Sequence, residues 1–193
     1  KRIDWILFGI FSALGFLSKY LFIYLLASFF IFLNLNLSKF KKFIPNYLLS
    51  VVISLIILLP HLFWLIDNNF ITIFYGLDRS GLSQLNILNH FLNPVIFLIK
   101  QIIILIPFFI TFFVILKKIK FKINLTNKKT KFLIAINLIP FLLILCTSIF
   151  TGAKIRTMWM TPFYLFIGIM FLEIFKKNIE IKKIKRFYFL FIF

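Results

Sequence analysis

Six apolar runs alternate with polar segments along the 193-residue chain. They lie at about residues 3–17, 20–36, 46–66, 92–116, 132–150 and 157–175, and a further run begins at about residue 187. A membrane-spanning helix needs about 20 predominantly apolar residues, a length that the last four complete runs reach easily and the first two fall short of. The pattern predicts an all-α fold, a polytopic transmembrane helix bundle over residues 1–193 with about six spans and a truncated one.

Composition agrees with a membrane location. The chain is 62% hydrophobic, contains 30 Phe and has a mean hydropathy of +1.05, which is more apolar surface than a soluble domain of this size can bury. In a soluble protein, the net charge of +18 would suggest nucleic acid. Here the cations lie between apolar runs, so we expect no nucleic-acid partner. We expect a multi-pass protein of the cell membrane, the inner membrane in a Gram-negative source.

Most of the 23 Lys and Arg residues fall in three clusters between the apolar runs. Lys1 and Arg2 add two cations at the start of the chain. By the positive-inside rule these residues are cytoplasmic, whereas the weakly basic segments 67–91 and 151–156 face outward. The clusters consist of Lys39, Lys41 and Lys42; of Lys117, Lys118, Lys120, Lys122, Lys128, Lys129 and Lys131; and of Lys176, Lys177, Lys182, Lys183, Lys185 and Arg186.

This assignment of sides requires residues 3–36 to cross the membrane twice. We therefore expect two short helices with a break near residues 15–20 at the outer side. The alternative is one long helix over residues 3–36, which would place Lys1 and Arg2 outside, against the charge rule. The outer loop at residues 67–91 keeps alternating apolar residues and is expected to contain a short helix lying on the membrane.

A few cations on the predicted outer side are candidates for binding an anion. Lys19, at the break, is either a snorkelling lysine or a phosphate ligand beside unpaired backbone groups. Lys154 and Arg156, followed by Trp159, are either interface anchors or a phosphate-binding pair, since Arg offers a planar fork and Lys a point charge. Arg79, in the outer loop, is a further candidate, and the alternative is a solvated loop charge.

The sequence does not offer a convincing catalytic base. A base on the outer side would be a carboxylate or a histidine, and Asp67, Asp78, His61 and His90 lack a second carboxylate at a suitable spacing. We expect structural hydrogen bonds for the two histidines, packing for Cys146 and no metal site. No Gly-rich phosphate loop, Walker motif or nucleophile elbow is present, which leaves NTP-driven and hydrolase functions without support. A requirement for a divalent metal stays open.

Three segments occur in the order and spacing of a known family. They are GIFSALGFLSKY at residues 9–20, LLPHLFWLIDNNFITIF at 58–74 and GAKIRTMWMTPFY at 152–164. They resemble the Gly-rich segment ending in Ser/Thr-Lys-Tyr, the Pro-x3-Trp segment and the late Arg-x-x-Trp-x-x-Pro region of the multi-spanning glycosyltransferases of family 39. That group is related to protein O-mannosyltransferases and to the aminoarabinose transferases of lipid A. Leu65 departs from the pattern, since the family often has Asn there.

The resemblance implies a GT-C-like membrane enzyme that transfers a sugar from a polyprenyl-phosphate donor to a lipid, glycan or protein acceptor outside the cytoplasm, among membrane lipids. It also implies an acidic residue in a first outer loop, which would precede Lys1, so the sequence is expected to be a fragment of a longer chain. The alternatives are a transporter or flippase subunit for an anionic lipid-linked substrate and a scaffold subunit without a substrate. The predicted substrate-binding residues are Lys19, Tyr20, Arg79, Lys154, Arg156 and Trp159.

Overall fold

The computed structural model describes residues 1–35, 43–81, 86–116, 127–179, 185 and 188–189. Three short 3-10 turns, Tyr20–Phe22, Thr157–Trp159 and Thr161–Tyr164, connect some of the α-helices. The predicted all-α fold is confirmed for the described residues. The helices are α1 (Arg2–Ser18), α2 (Ile23–Asn34), α3 (Ile44–Asp67), α4 (Ile71–Arg79), α5 (Asn89–Ile115), α6 (Lys128–Thr151) and α7 (Ile167–Phe175).

Several residues of the predicted basic clusters lie outside the described ranges. The last apolar run, from residue 187, is described only at Tyr188 and Phe189. The predictions for these residues therefore stay predictions. The undescribed cluster residues are Lys39, Lys41, Lys42, Lys117, Lys118, Lys120, Lys122, Lys182, Lys183 and Arg186.

Three of the described helices are long and apolar enough to cross a membrane, namely α3, α5 and α6. The predicted run at 157–175 differs, because it forms two 3-10 turns followed by the nine-residue helix α7. Pro162 lies in the first turn of the second 3-10 segment. Proline has no N–H to donate, so it is tolerated at such a helix start. Four other prolines, at positions 60, 94, 107 and 140, lie inside continuous α-helices, so proline alone does not explain the interruption.

The chain divides into two compact units, residues 1–85 and 86–193. In unit 1, α1 and α2 form a hairpin, in which the rings of Phe8 and Phe29 lie 4.6 Å apart between centroids. The reversal takes place at Lys19 and the turn Tyr20–Phe22. The predicted break between two short helices is therefore confirmed, and the alternative of one long helix over residues 3–36 is wrong.

Helix α3 packs along α1 in the same direction. The Ser50 hydroxyl donates to the Trp5 carbonyl oxygen and the Ser54 hydroxyl to that of Gly9, each at 2.7 Å. Both partners move on by four residues, as expected for two helices that pack in parallel. These bonds are possible because Gly9 has no side chain to separate the two backbones. Unit 1 thus has a Lys1 end, where α1 starts, and a Lys19 end, where α1 and α3 finish.

In unit 2, α5 and α6 run antiparallel. His90, near the start of α5, bonds to the carbonyl oxygen of Ile149, near the end of α6, and the rings of Phe97 and Phe141 stack 5.7 Å apart. Helix α7 returns along α6, and the Glu173 carboxylate bonds to Lys129 Nζ at 3.3 Å. Unit 2 therefore has a Gly152 end and a Glu173 end.

A cluster of phenylalanine rings lies between α5 and α7 in unit 2. The Phe171 ring contacts those of Phe108 and Phe112 at 5.4 and 5.3 Å, and Phe175 contacts Phe112 at 5.7 Å. Phe175 is 1% exposed and Phe112 is 4% exposed. Edge-on aromatic packing of this kind holds the short helix α7 in place, which is necessary because a nine-residue helix is marginal by itself.

Candidate functional site

The Lys19 end of unit 1 is built around the interruption between α1 and α2. Lys19 is in extended backbone, its N–H donates to the Gly15 carbonyl at 3.0 Å, and its carbonyl accepts from the N–H of Phe22 at 2.9 Å. A Cβ on Gly15 would lie 2.7 Å from the Phe22 ring, so glycine is needed for this close turn. Partial burial lowers the pKa of the Lys19 ammonium from its ordinary value.

Tyr20 connects three elements at this end. Its hydroxyl lies 2.8 Å from His61 Nε2 on α3 and 2.8 Å from Thr72 Oγ1 on α4. The His61 ring in turn stacks on Trp64, with centroids 5.8 Å apart. The structural hydrogen bond that we predicted for His61 is confirmed. The first two family-like segments therefore meet in space, since Tyr20 ends one and His61 and Trp64 belong to the other.

The predicted short helix in the loop at residues 67–91 is present as α4. It follows a tight turn in which Asn69 and Phe70 have positive φ angles of 51° and 54°, a region that non-glycine residues rarely adopt. Arg79, at the end of α4, donates to the Tyr75 hydroxyl at 2.7 Å and lies over that ring. Seven residues separate Arg79 from Thr72, about 10 Å of helix rise, so Arg79 is not part of the cluster around Tyr20.

Leu65, which replaces the Asn common in the family, is only 4% exposed. Its carbonyl accepts the N–H of Phe70 at 2.8 Å, which helps to close the turn between α3 and α4. An apolar side chain is suited to this buried position.

The Gly152 end of unit 2 carries the polar segment 151–156, called the crossing below, which includes Lys154 and Arg156. Gly152 ends α6 with a φ of 68°, the left-handed conformation that favours glycine. Its carbonyl accepts from Asn93 Nδ2 at 2.7 Å, and the carbonyl of Ala153 accepts from the Ser148 hydroxyl at 2.7 Å. These bonds fix the start of the crossing, from which Lys154 extends as an exposed side chain.

The crossing differs in charge from the Glu173 end. At the Glu173 end, the carboxylate of Glu173 binds Lys176 Nζ at 2.7 Å as well as Lys129. Within the described part of the chain, no ion pair involves Lys154 or Arg156. Arg156 and Trp159 are half-buried, so both combine a polar group with a packed apolar part. The crossing can therefore accept an anion without displacing a carboxylate of this region.

The predicted substrate-binding residues thus form two groups. Unit 1 holds Lys19, Tyr20 and Arg79, and unit 2 holds Lys154, Arg156 and Trp159. Lys19 and Tyr20 are neighbours at the helix break, and Lys154 and Arg156 share the crossing. A single pocket that contains both groups stays a prediction. Among the described residues, no cluster of three His, Cys, Asp or Glu side chains has the geometry to hold a metal ion.

The sequence analysis did not single out two buried amide side chains of unit 2. Gln101 and Asn137 lie in the middle of apolar helices and are 2% and 6% exposed, and the Tyr164 hydroxyl donates to Gln101 Oε1. A neutral amide in an apolar run is the signal that points to such a site. Neither residue is charged and neither lies in one of the three family-like segments, so neither charge nor motif indicates them in the sequence.

Comparison with known families covers the first part of the chain. The family model described as dolichyl-phosphate-mannose-protein mannosyltransferase matches residues 1–64, about a third of the 193 residues. The resemblance to family 39 is confirmed there. The matched range contains the glycine-rich segment and Pro60–Trp64, and it ends before the crossing at Gly152. No curated protein and no solved structure matches. The match supports a membrane glycosyltransferase in general.

Proposed function

We propose that the chain forms part of a glycosyltransferase that takes a sugar from a polyprenyl-phosphate donor and transfers it to an acceptor on the extracytoplasmic side of the membrane. The main support is the charge arrangement of unit 2, where Lys154 and Arg156 occupy the end opposite Lys129 and Lys176. If the lysine-rich end faces the cytoplasm, as the positive-inside rule indicates, these two cations face outward.

The chemistry of the transfer explains why cations belong at such a site. The bond between the anomeric carbon and the phosphate oxygen breaks, a bond from that carbon to an acceptor oxygen forms, and the acceptor's proton passes to a base. Negative charge grows on the departing phosphate, where fixed cations stabilise the transition state more than the ground state. Arg156 supplies a planar set of donors and Lys154 a compact charge.

Unit 1 holds a third cation of the predicted set, Lys19. Lys19 lies at a helix break, and Tyr20 is fixed by His61 and Thr72. The bonds of Tyr20 limit the freedom of the adjacent backbone from which the Lys19 side chain extends. In this proposal Lys19 and Tyr20 contact the donor, Trp159 packs against its apolar or sugar portion, and Arg79 has a secondary role through the Tyr75 pair.

A transporter or flippase for an anionic lipid-linked substrate is the second candidate, and the broken helix at Lys19 favours it. Half-helices and cations bind anions in many transporters. The two candidates differ in their product. A transferase forms a new glycosidic bond on an acceptor, whereas a flippase moves the intact lipid-linked sugar across the bilayer.

The proposal is tested with the complete protein in proteoliposomes supplied with a radiolabelled polyprenyl-phosphate sugar and a mixture of membrane lipid acceptors. We expect Lys154→Ala and Arg156→Ala each to lower kcat/KM by about tenfold or more, the value of one or two charge-assisted hydrogen bonds. Lys177→Ala, an exposed cation of the Glu173 end, is the matched control and should change it less than about twofold. Equal rates in all three variants, or translocation without a new glycosidic bond, would overturn the proposal.

A further inference from the structure

Unit 2 contains a cavity of about 340 Å³ between α5, α6 and α7, away from the crossing at Gly152. Its wall is almost entirely apolar and includes Leu98, Phe109, Phe141 and Phe171. The lining residues Ile102 and Leu138 are 60% and 45% exposed, so the cavity opens at the surface of the helices. A volume of this size lies at the lower end of the range for small-molecule sites.

The polar part of the wall consists of Gln101, Asn137 and Tyr164. Their position follows from the helix register, since Phe97 stacks on Phe141 across the antiparallel pair. Gln101 comes four residues after Phe97, and Asn137 comes four residues before Phe141. Both are one helical turn from the aromatic pair in the same direction, and so they reach the same level of the bundle.

Each amide has one group bonded and one group without a partner. Asn137 Nδ2 donates to the Leu133 carbonyl at 2.7 Å, which fixes the orientation of its amide, and Oδ1 is buried with no hydrogen bond. Gln101 Oε1 accepts from the Tyr164 hydroxyl, and Nε2 is buried with no hydrogen bond. The wall of the cavity therefore contains one unused donor and one unused acceptor, both buried beneath its apolar surface, so a ligand that pairs with them must displace part of that surface. Unpaired buried polar groups are unfavourable in an apolar environment, so a ligand that pairs with both is favoured.

From this arrangement we propose that the cavity between α5, α6 and α7 binds a neutral lipid alcohol, whose hydroxyl accepts from Gln101 Nε2 and donates to Asn137 Oδ1. A hydroxyl group has both a donor and an acceptor, as the two amides require. A charged head group is disfavoured, because none of the residues lining the cavity is ionised at neutral pH.

The apolar wall fits the hydrocarbon part of such a ligand. From Leu98 to Phe109 it extends over twelve residues of α5, about 16 Å of helix rise. Gln101 lies near the Leu98 end of this length, so the alkyl chain extends from the polar pair toward Phe109 and Phe171. None of the residues that line the cavity belongs to the proposed donor site, and the inference does not depend on the proposed function.

The test uses the complete protein in detergent micelles with two photoreactive probes, a long-chain alcohol bearing a diazirine and its methyl ether. The ether can accept a hydrogen bond but cannot donate one. Peptide mapping should place alcohol labelling on the segments around Leu98–Phe109 and Leu138–Phe141. We expect about fivefold to tenfold more labelling by the alcohol than by the ether, the effect of one neutral hydrogen bond.

Two variants keep the result interpretable. Asn137→Leu in a folded protein should remove the preference for the alcohol over the ether, while both probes still label the cavity. Leu138→Trp should fill the mouth and reduce labelling by both probes without changing the amide pair. Equal labelling of the native protein by alcohol and ether, a preference that survives Asn137→Leu, or labelling no higher than elsewhere on the micelle-covered surface, as expected if water alone occupies the cavity, would overturn the proposal.

Discussion

Gly9 and Ser50 lie at the closest approach of α1 and α3, where a Cβ on Gly9 would be 2.6 Å from the Ser50 carbonyl oxygen. Backbone atoms cannot move away as a flexible side chain can, so any larger residue must separate the two helices. The neighbouring hydrogen bonds from Ser50 to Trp5 and from Ser54 to Gly9 depend on the same approach. Small residues at helix contacts serve this purpose in membrane bundles.

Gly9→Ala should therefore destabilise unit 1 by about 1–3 kcal/mol, the usual range for overpacking. Thermal unfolding in detergent, followed by circular dichroism, measures the change. Gly76→Ala is the control, because no atom lies within 4 Å of the position its Cβ would take. If both variants unfold at the same temperature as the native protein, the close contact between α1 and α3 is incorrect.

Tyr20→Phe removes the hydroxyl that bonds to His61 and Thr72. We expect a loss of about 1–3 kcal/mol, because two partly buried polar groups lose a partner. Donor turnover should fall as well, since Lys19 is adjacent. Adding Thr72→Val to the Tyr20→Phe variant should cost less than Thr72→Val costs alone. A strictly additive double-mutant cycle would show that the hydroxyl and Thr72 do not interact.

Gly152→Ala tests the connection at the start of the crossing. Alanine at a φ of 68° is strained by about 1–2 kcal/mol, and relief of that strain would move Lys154 and Arg156. Gly81→Ala is a matched control, with a φ of 70° and no atom within 4 Å of its Cβ. Both variants should lose similar stability, but only Gly152→Ala should raise KM for the donor. An unchanged KM would show that the crossing does not contact the donor.

Glu173→Gln should weaken the contact between α6 and α7 by removing the charge that binds Lys129 and Lys176. Two cations then remain close together without a carboxylate between them, so we expect faster amide hydrogen exchange in α7. Added salt should reduce the difference from the native protein, because it screens the lysine pair. Lys177→Gln serves as the comparison and should leave exchange in α7 unchanged. A difference that is insensitive to salt would contradict the electrostatic explanation.

Labelling with a membrane-impermeant thiol reagent tests the sidedness of unit 2. Cys146, which is exposed, is first replaced by Ser, and single cysteines are introduced as Lys154→Cys or Lys131→Cys. We expect reaction at residue 154 in intact cells and at residue 131 only after permeabilisation, because the two positions lie at opposite ends of α6. Labelling of both positions in intact cells, or the reverse order, would remove the support for an extracytoplasmic site.

The sequence was sufficient for features that depend on local apolar length and charge. Apolar runs predicted helices because an uncharged segment of span length is favourable only when its backbone bonds are satisfied internally. The break near Lys19 was predicted because the charge clusters require residues 3–36 to cross the membrane twice, and the short helix Ile71–Arg79 because its loop keeps alternating apolar residues. The run 157–175 was the exception, since hydropathy does not register the division into 3-10 turns near Pro162.

The sequence by itself thus determined the helical class, the position of the helix break and the segregation of cations into few segments. Only the tertiary structure decided that Tyr20 meets His61 and Thr72, that Gly9 lies against Ser50 and that Gln101 and Asn137 share one cavity. These contacts join residues 36 to 52 positions apart, and their existence depends on helix register and direction of packing. Composition and periodicity describe each helix separately, so they contain no information about which faces of two helices meet.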